Sequence, residues 1–196
     1  MSKLIVGVNT AMFDGIDPDI AFGAIRESGF RYVELAYNQG YVGHMPPELF
    51  AEGNAREIRR LLDKHQLLTH SLGATMNFGA ADAVEQFTRR IRFAGMIGAK
   101  WINVCVGKKE DRQNIISHLR ELAPIAEQEN CIICLENGGD PNYDVFRLAD
   151  DGAALVEAVG SPAVSVNVDA GNIVSLIPEV DPIQAAIEML PLAAHC

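Results

Sequence analysis

Strand-like runs recur along this chain at nearly constant intervals, and a helix-like pattern lies between each pair of them. From the second run onward, the runs begin 36, 33, 31 and 32 residues apart. Strands that alternate with helices form parallel sheets with right-handed crossovers, so the sequence predicts an α/β fold. The predicted strands are Leu4–Val8, Tyr32–Ala36, Leu68–Leu72, Trp101–Val106, Ile132–Glu136 and Val164–Asp169. The predicted helices are Pro18–Ser28, Pro47–His65, Ala80–Ile97, Arg112–Glu129, Gly152–Val159 and Pro182–Leu190.

Two architectures share this alternation. A doubly wound sheet usually carries a glycine-rich phosphate loop after its first strand, and the segment 9–15 has no such pattern. A (β/α)₈ barrel instead places its chemistry at the C-terminal ends of several strands, and polar residues follow nearly every predicted strand here. The sequence therefore favours a single barrel domain over residues 1–196. A full barrel needs about 250 residues, so we expect only six βα units and the start of a seventh strand near Ala193.

Composition narrows the class of protein. The formal net charge of −10 argues against a general nucleic-acid binder, because phosphate binding needs a basic surface. No apolar run approaches the length of a membrane span. The N-terminus has no signal-peptide pattern, and the four cysteines fit buried, reduced thiols, so a cytoplasmic protein is expected.

Two acidic residues each end a predicted strand, and they lie 33 residues apart. Glu136 closes Ile132–Glu136 and Asp169 closes Val164–Asp169. In a parallel sheet the two carboxylates would emerge at one edge of adjacent strands, where they repel each other unless a proton or a cation intervenes. The pair therefore predicts one divalent metal ion, and Mn²⁺, Mg²⁺ and Zn²⁺ all remain open. The alternative is that each carboxylate caps a following turn or helix.

Other polar residues near the predicted strand ends are candidates for substrate binding. We expect Glu34 to end the second strand and His70 to end the third, where each would bind substrate or fill a structural role. Asn103 and Asn172 are weaker candidates of the same kind. Lys108 directly follows the fourth strand and would attract a phosphate or carboxylate, although exposed lysines are more often plain surface.

With these residues in view, the whole chain resembles the xylose-isomerase-like barrel superfamily of sugar-phosphate isomerases and epimerases. The segments that carry the resemblance are FRYVELAYN at 30–38, THSLG at 69–73, INVCVGKK at 102–109, LENGG at 135–139 and VNVDAGN at 166–172. The resemblance implies that Glu136 and Asp169 bind one divalent metal ion and that His195, or a residue just beyond it, is the seventh-strand ligand. The family's eighth-strand Glu has no counterpart in these 196 residues.

The resemblance also implies an activity. A metal-dependent isomerase or epimerase would act on a small sugar, sugar phosphate or hydroxy-carbonyl acid through an enediolate, with Glu136 as one of two acid/base groups. Because the second group is missing, we expect the 196-residue chain alone to lack full activity.

Three other functions remain open or disfavoured. A polyol-ketone dehydratase of the same superfamily would begin with the same enolisation. A non-catalytic chain, or a homo-oligomer that pairs exposed sheet edges, also remains open. An apurinic-site endonuclease is disfavoured, because Cys105 and Asn172 stand where that related family has zinc-binding histidines.

Overall fold

The computed structural model describes residues 5–39 and 45–196 and contains one sheet of seven parallel strands. The strands lie side by side in the order in which they occur along the chain. A doubly wound sheet reverses its strand order at a switch point, so this order confirms the barrel-type arrangement. The strands are β1 (Gly7–Asn9), β2 (Tyr32–Ala36), β3 (Leu68–Gly73), β4 (Trp101–Val104), β5 (Ile132–Glu136), β6 (Val164–Asn167) and β7 (Ala193–His195).

Seven α-helices and four short 3₁₀ segments connect the strands in the described residues. The α-helices are α1 (Pro18–Glu27), α2 (Glu52–Lys64), α3 (Ala83–Ile97), α4 (Arg112–Gln128), α5 (Ala149–Val159), α6 (Ala170–Leu176) and α7 (Pro182–Met189). The 3₁₀ segments are Thr10–Phe13, Pro47–Phe50, Lys109–Asp111 and Leu190–Leu192. The predicted helix over 47–65 is therefore a 3₁₀ turn followed by α2, and α6 was not predicted.

Local sequence explains where several helices begin and end. Asp17 and Asp181 each accept backbone hydrogen bonds as N-caps, and a proline follows each of them in the first turn. Gly98 ends α3 with φ of 83°, a left-handed conformation that a side chain disfavours. These signals are visible in the sequence, and the predicted starts at Pro18 and Pro182 are confirmed.

The sheet curls, so that β7 approaches β4 and β5 across the concave face. Apolar residues of the strands and of the inner helix faces form a continuous core behind this face, with Phe87, Ile91, Ile102, Leu119 and Ile133 fully buried. The concave side carries polar residues instead. The curl therefore turns polar side chains from many strands toward one space.

Three candidate residues that were expected to end a strand do not, and the fourth strand ends at Val104 rather than at the predicted Val106. Glu34 is the third residue of β2 and His70 the third of β3, so both lie within their strands. Asp169 lies two residues beyond the end of β6. The first strand begins at Gly7, and Leu4 lies outside the described residues. Alternating apolar and polar residues place a strand well, but they do not fix where its backbone pairing stops.

Candidate active site

A cleft of about 940 Å³ opens on the concave face of the sheet. Seven of the eight candidate residues line it, and these are Glu34, His70, Asn103, Glu136, Asp169, Asn172 and His195. A smaller cavity of about 170 Å³ lies near the end of β2 and is lined mainly by apolar side chains. The larger cleft is therefore the candidate site, because it gathers the titratable and amide side chains.

Lys108 is the candidate that does not line the cleft. Its side chain is 46% exposed, and its Nζ lies 4.0 Å from Glu110 Oε1. The lysine belongs to the loop after β4, which carries it away from the concave face. This placement favours the plain-surface interpretation that the sequence had left open.

Glu136 is the last residue of β5, and its carboxylate points into the cleft between two asparagines. Asn167 Nδ2 donates to Oε2 at 2.9 Å, and Asn172 Nδ2 donates to Oε1 at 3.0 Å. Burial raises the pKa of Glu136 to about 7, and the negative charges of Asp169 and Glu34 add to this shift. The two amide hydrogen bonds lower the pKa but do not offset the burial. The carboxyl is therefore poised to change protonation near neutral pH.

Asp169 follows β6 and caps α6. Its Oδ1 accepts hydrogen bonds from the N–H of Gly171 at 2.7 Å and from that of Asn172 at 3.1 Å. The capping role that the sequence left open is therefore present. Within residues 5–39 and 45–196, Oδ2 of Asp169 accepts no hydrogen bond. One oxygen thus fixes the side chain and the other stays available for a ligand.

His195 lies in β7 and reaches across the cleft. Its Nδ1 is 2.9 Å from Asn167 Oδ1 and 3.2 Å from Asn103 Nδ2. Burial lowers the pKa of His195, while the charge of Glu34 acts in the opposite direction. The ring centroid lies 5.8 Å from that of Trp101. His195 is therefore engaged by amides and an aromatic ring.

Glu34 and His70 lie deeper in the cleft than predicted. Asn9 Nδ2 and Asn103 Nδ2 donate to the two oxygens of Glu34 at 2.8 and 2.5 Å. The ring of His70 stacks on Tyr32 with centroids 5.2 Å apart and meets Trp101 edge-on at 6.1 Å. Both residues face the cleft from the middle of their strands.

The sequence analysis missed several residues that shape the site. Asn167 bonds both Glu136 and His195, Asn137 is fully buried between the two carboxylate-bearing segments, and Trp101 and Cys105 line the cleft. Burial and the charge of Glu136 raise the pKa of the Cys105 thiol. The period of two along a strand places Asn167 on the face of Asp169, so this signal could have found it.

Glu136 and Asp169 together offer the kind of oxygen donors that divalent cations bind. In the part of the chain that the structure describes, neither carboxylate forms an ion pair, and Asp169 Oδ2 has no hydrogen-bond donor. Oxygen donors of this kind suit hard cations such as Mg²⁺ and Mn²⁺. Among the same residues, however, no three His, Cys, Asp or Glu side chains come close enough to hold a metal ion. His195 is thus not gathered with the pair, and its role as third ligand stays a prediction.

The sequence matches a known family over most of its length. A profile of the xylose isomerase-like TIM barrel matches residues 22–192, which confirms the resemblance drawn from the sequence. No curated protein sequence matches the chain significantly. Within the described residues, no helix is both long and apolar enough to cross a membrane.

Solved structures share the fold at low sequence identity. A D-psicose 3-epimerase with D-fructose superposes with a TM-score of 0.78 at 17% identity, covering 98% of this chain and 72% of the other. A 3-keto-D-glucoside 4-epimerase from E. coli gives 0.78 at 17% identity, covering 98% and 78%. A xylose isomerase-like barrel protein from Mycobacterium smegmatis, in complex with magnesium, gives 0.74 at 19% identity, covering 96% and 72%.

Proposed function

The chain belongs to the xylose isomerase-like TIM-barrel family, and on that basis we propose that it is a divalent-metal-dependent isomerase or epimerase of a small sugar. The observation that carries the proposal is the placement of Glu136 and Asp169. Glu136 ends β5, Asp169 lies two residues beyond the end of the adjacent β6, and both line one polar cleft. Barrel enzymes carry their catalytic groups at this end of the strands.

The similar structures support this class of reaction. Two of them are named as epimerases, and one of these acts at the 4-position, next to a 3-keto group. A hydrogen on a carbon beside a carbonyl is acidic enough for a positioned carboxylate to remove. We therefore propose a keto sugar, or an aldose that opens to a carbonyl, as the substrate class.

Glu136 is the proposed acid/base. In the metal-free chain the pKa of Glu136 is raised to about 7, and a divalent cation beside the carboxylate would lower it, which favours the deprotonated form that a base needs. Its carboxylate would take the proton from the carbon beside the carbonyl, which leaves an enediolate, and would return the proton to the neighbouring carbon in an isomerisation. In an epimerisation the second acid/base group would deliver a proton to the opposite face. The amides of Asn167 and Asn172 hold the carboxylate in place for this transfer.

The proposed metal would lie between Glu136 and Asp169, with His195 as a predicted third ligand. When bound, a divalent cation would polarise the substrate carbonyl and stabilise the negative charge that develops on oxygen. The magnesium complex of a similar barrel protein supports this proposal. The cation would also offset the repulsion between the two carboxylates.

The rest of the cleft would bind the sugar hydroxyls. Glu34, His70, Asn103 and Asn172 are proposed for this role, because all four line the cleft with polar atoms. In the described part of the chain, no Lys or Arg lines the cleft. A neutral sugar therefore fits this surface better than a phosphorylated one.

The experiment that tests the proposal is hydrogen exchange into the substrate. The protein is incubated in D₂O with Mn²⁺ and a panel of keto sugars, with and without phosphate, and deuterium beside the carbonyl is detected by NMR. The exchange needs only one base, whereas full epimerisation needs the second acid/base group as well. We expect Mn²⁺-dependent exchange that Glu136→Gln abolishes. Absence of exchange with every sugar would remove the proposal.

The same experiment distinguishes a dehydratase from an isomerase or epimerase. A polyol-ketone dehydratase would begin with the same proton removal and then lose water, so its product is lighter by one water molecule. Mass spectrometry of the reaction mixture distinguishes this product from an isomer of unchanged mass.

A further inference from the structure

Backbone pairing between β5 and β6 ends at Glu136 and Asn167. Asn137 and Asp169 therefore lie beyond the last pair of hydrogen-bonded strand residues. The side chain of Asn137 continues the connection, because its Oδ1 accepts from the Asp169 N–H and its Nδ2 donates to the Asp169 carbonyl, both at 2.8 Å. We infer that Asn137 is a positioning residue that holds Asp169 at a fixed place relative to Glu136.

The geometry of Asn137 matches this role. Its side chain is 0% exposed, and one amide satisfies both backbone groups of Asp169. Strand neighbours exchange the same two kinds of hydrogen bond through their backbones. The side chain of Asn137 therefore supplies two hydrogen bonds to the Asp169 backbone at the point where backbone pairing between the strands has ended. The asparagine amide offers an acceptor and a donor on two separate atoms, which the N–H and the carbonyl of Asp169 require.

Asn172 closes the connection from the other side. Its Nδ2 donates to the Asn137 carbonyl at 2.9 Å and to Glu136 Oε1 at 3.0 Å, while its backbone N–H donates to Asp169 Oδ1 at 3.1 Å. A ring of hydrogen bonds thus runs through Glu136, Asn172, Asp169 and Asn137. A shift of Asn137 would disturb the orientation of both carboxylates.

The turn after Asn137 is closely packed at its two glycines. A Cβ on Gly138 would lie 1.8 Å from the Tyr143 carbonyl oxygen, and a Cβ on Gly139 would lie 2.2 Å from Asn172 Oδ1. A side chain at Gly138 would have to displace the backbone of Tyr143, and one at Gly139 would have to displace the Asn172 side chain. The two glycines therefore allow the chain after Asn137 to pass close to both residues.

The inference rests on the proposed function, in which Glu136 and Asp169 hold a divalent metal ion. Its first test uses Mn²⁺ without any substrate. Groups that orient metal ligands typically contribute 10- to 100-fold to metal affinity. We therefore expect Asn137→Ala to weaken Mn²⁺ binding by about 10- to 100-fold in calorimetric titration. Asn54→Ala is the matched control, because Asn54 also donates to a backbone carbonyl, that of Leu49, and does not line the cleft. The control should bind Mn²⁺ as the unmodified protein does.

Amide hydrogen exchange gives a readout that needs no metal. The N–H of Gly171 donates to Asp169 Oδ1. If Asn137→Ala frees Asp169 to move, this hydrogen bond is lost and exchange of the Gly171 amide should accelerate roughly tenfold, the factor that one lost hydrogen bond is worth. Asn54→Ala should leave this amide unchanged. If Asn137→Ala does not fold, Asn137→Leu replaces it, because a neutral side chain of similar size fills the same buried space and removes both hydrogen bonds to Asp169.

The two measurements separate the possible failures. If the unmodified protein binds Mn²⁺ and the Asn137 variant binds it equally well, the inference is overturned and the proposed function stands. If the unmodified protein binds no Mn²⁺, the metal proposal is wrong, and the positioning role of Asn137 is tested by hydrogen exchange at the Gly171 amide alone. Unchanged protection of Gly171 in the variant would then overturn it.

Discussion

Glu136 and Glu34 are two carboxylates in one cleft, and their hydrogen bonding is nearly the same. Each accepts from two asparagine amides, Glu136 from Asn167 and Asn172 and Glu34 from Asn9 and Asn103. Their positions differ. Glu136 ends its strand beside a second carboxylate, whereas Glu34 lies in the middle of β2.

The difference in position indicates which of the two carboxylates is the candidate for catalysis. Hydrogen bonds from two amides are common to both residues, so they do not distinguish them. Position does: Glu136 ends β5 close to Asp169, and burial, followed by the charge of Asp169, raises its pKa to about 7. We therefore assign proton transfer to Glu136 and substrate binding to Glu34. The following predictions test this division.

The largest expected effect is on proton transfer. Glu136→Gln should lower the rate of deuterium exchange into the substrate by about 10²- to 10⁴-fold, the usual contribution of a general base. Glu34→Gln is the matched control, because the same substitution is made in the same cleft. We expect it to change KM by less than about tenfold and to leave the exchange rate at saturation nearly unchanged. An equal loss of exchange rate in both variants would contradict the assignment of proton transfer to Glu136 rather than Glu34.

The next effect is on metal affinity. Asp169→Asn keeps the side-chain shape but removes the charge that the proposed cation needs. We expect Mn²⁺ to bind more weakly by more than roughly 100-fold, beyond the loss typical of supporting residues. Glu34→Gln should leave Mn²⁺ affinity within about tenfold of that of the unmodified protein. Calorimetric titration measures both, and tight Mn²⁺ binding by the Asp169 variant would rule out its role as a ligand.

The third effect is on stability as a function of pH. The pKa of Glu136 is about 7 in the folded chain and 4.5 for an unperturbed carboxyl, so the folded state retains a proton that the unfolded state releases. Stability from this group is therefore full below about pH 4.5 and is lost as the pH rises through about 7. The shift corresponds to roughly 3 kcal/mol.

Urea unfolding of the metal-free protein across this range measures the loss. The free energy of unfolding should fall with pH relative to that of Glu136→Gln, which lacks the titrating group. The difference between the two curves removes the contributions of all other carboxyls. A flat difference curve would show that Glu136 titrates normally.

The smallest expected effect belongs to Lys108. Its exposed side chain lies outside the cleft, and surface substitutions usually change stability by less than about 0.5 kcal/mol. Lys108→Ala should therefore leave both KM and stability nearly unchanged in the same assays. A KM increase above about tenfold would return Lys108 to the binding site and would favour a charged substrate.

The sequence predicted the order and type of the elements well. The ranges Tyr32–Ala36 and Ile132–Glu136 match β2 and β5, because apolar runs bounded by turn residues are a strong signal. It was less successful within the site. His70 and Glu34 were placed at strand ends, because a polar residue in an apolar run looks like the end of a strand. In a curled sheet such a residue instead turns toward the concave face.

The hydrogen-bond network could not be predicted for a different reason. Asn103 and His195 are 92 residues apart, and only the curl of the sheet brings their side chains within 3.2 Å. No local pattern encodes this contact. Asn137 was missed, because its two bonds to Asp169 depend on the register of β5 against β6. Register is a property of the packed sheet.

The strand order described above also bears on how the chain folds. Every strand pairs with the strand that precedes it in sequence, and the paired strands are about one helix apart along the chain. Among residues 5–39 and 45–196, each strand from β2 onward can therefore dock on the edge of the strand before it. Domains fold from the N-terminus during synthesis. This protein can therefore assemble its sheet as it leaves the ribosome, and the carboxylate pair forms only when β6 arrives.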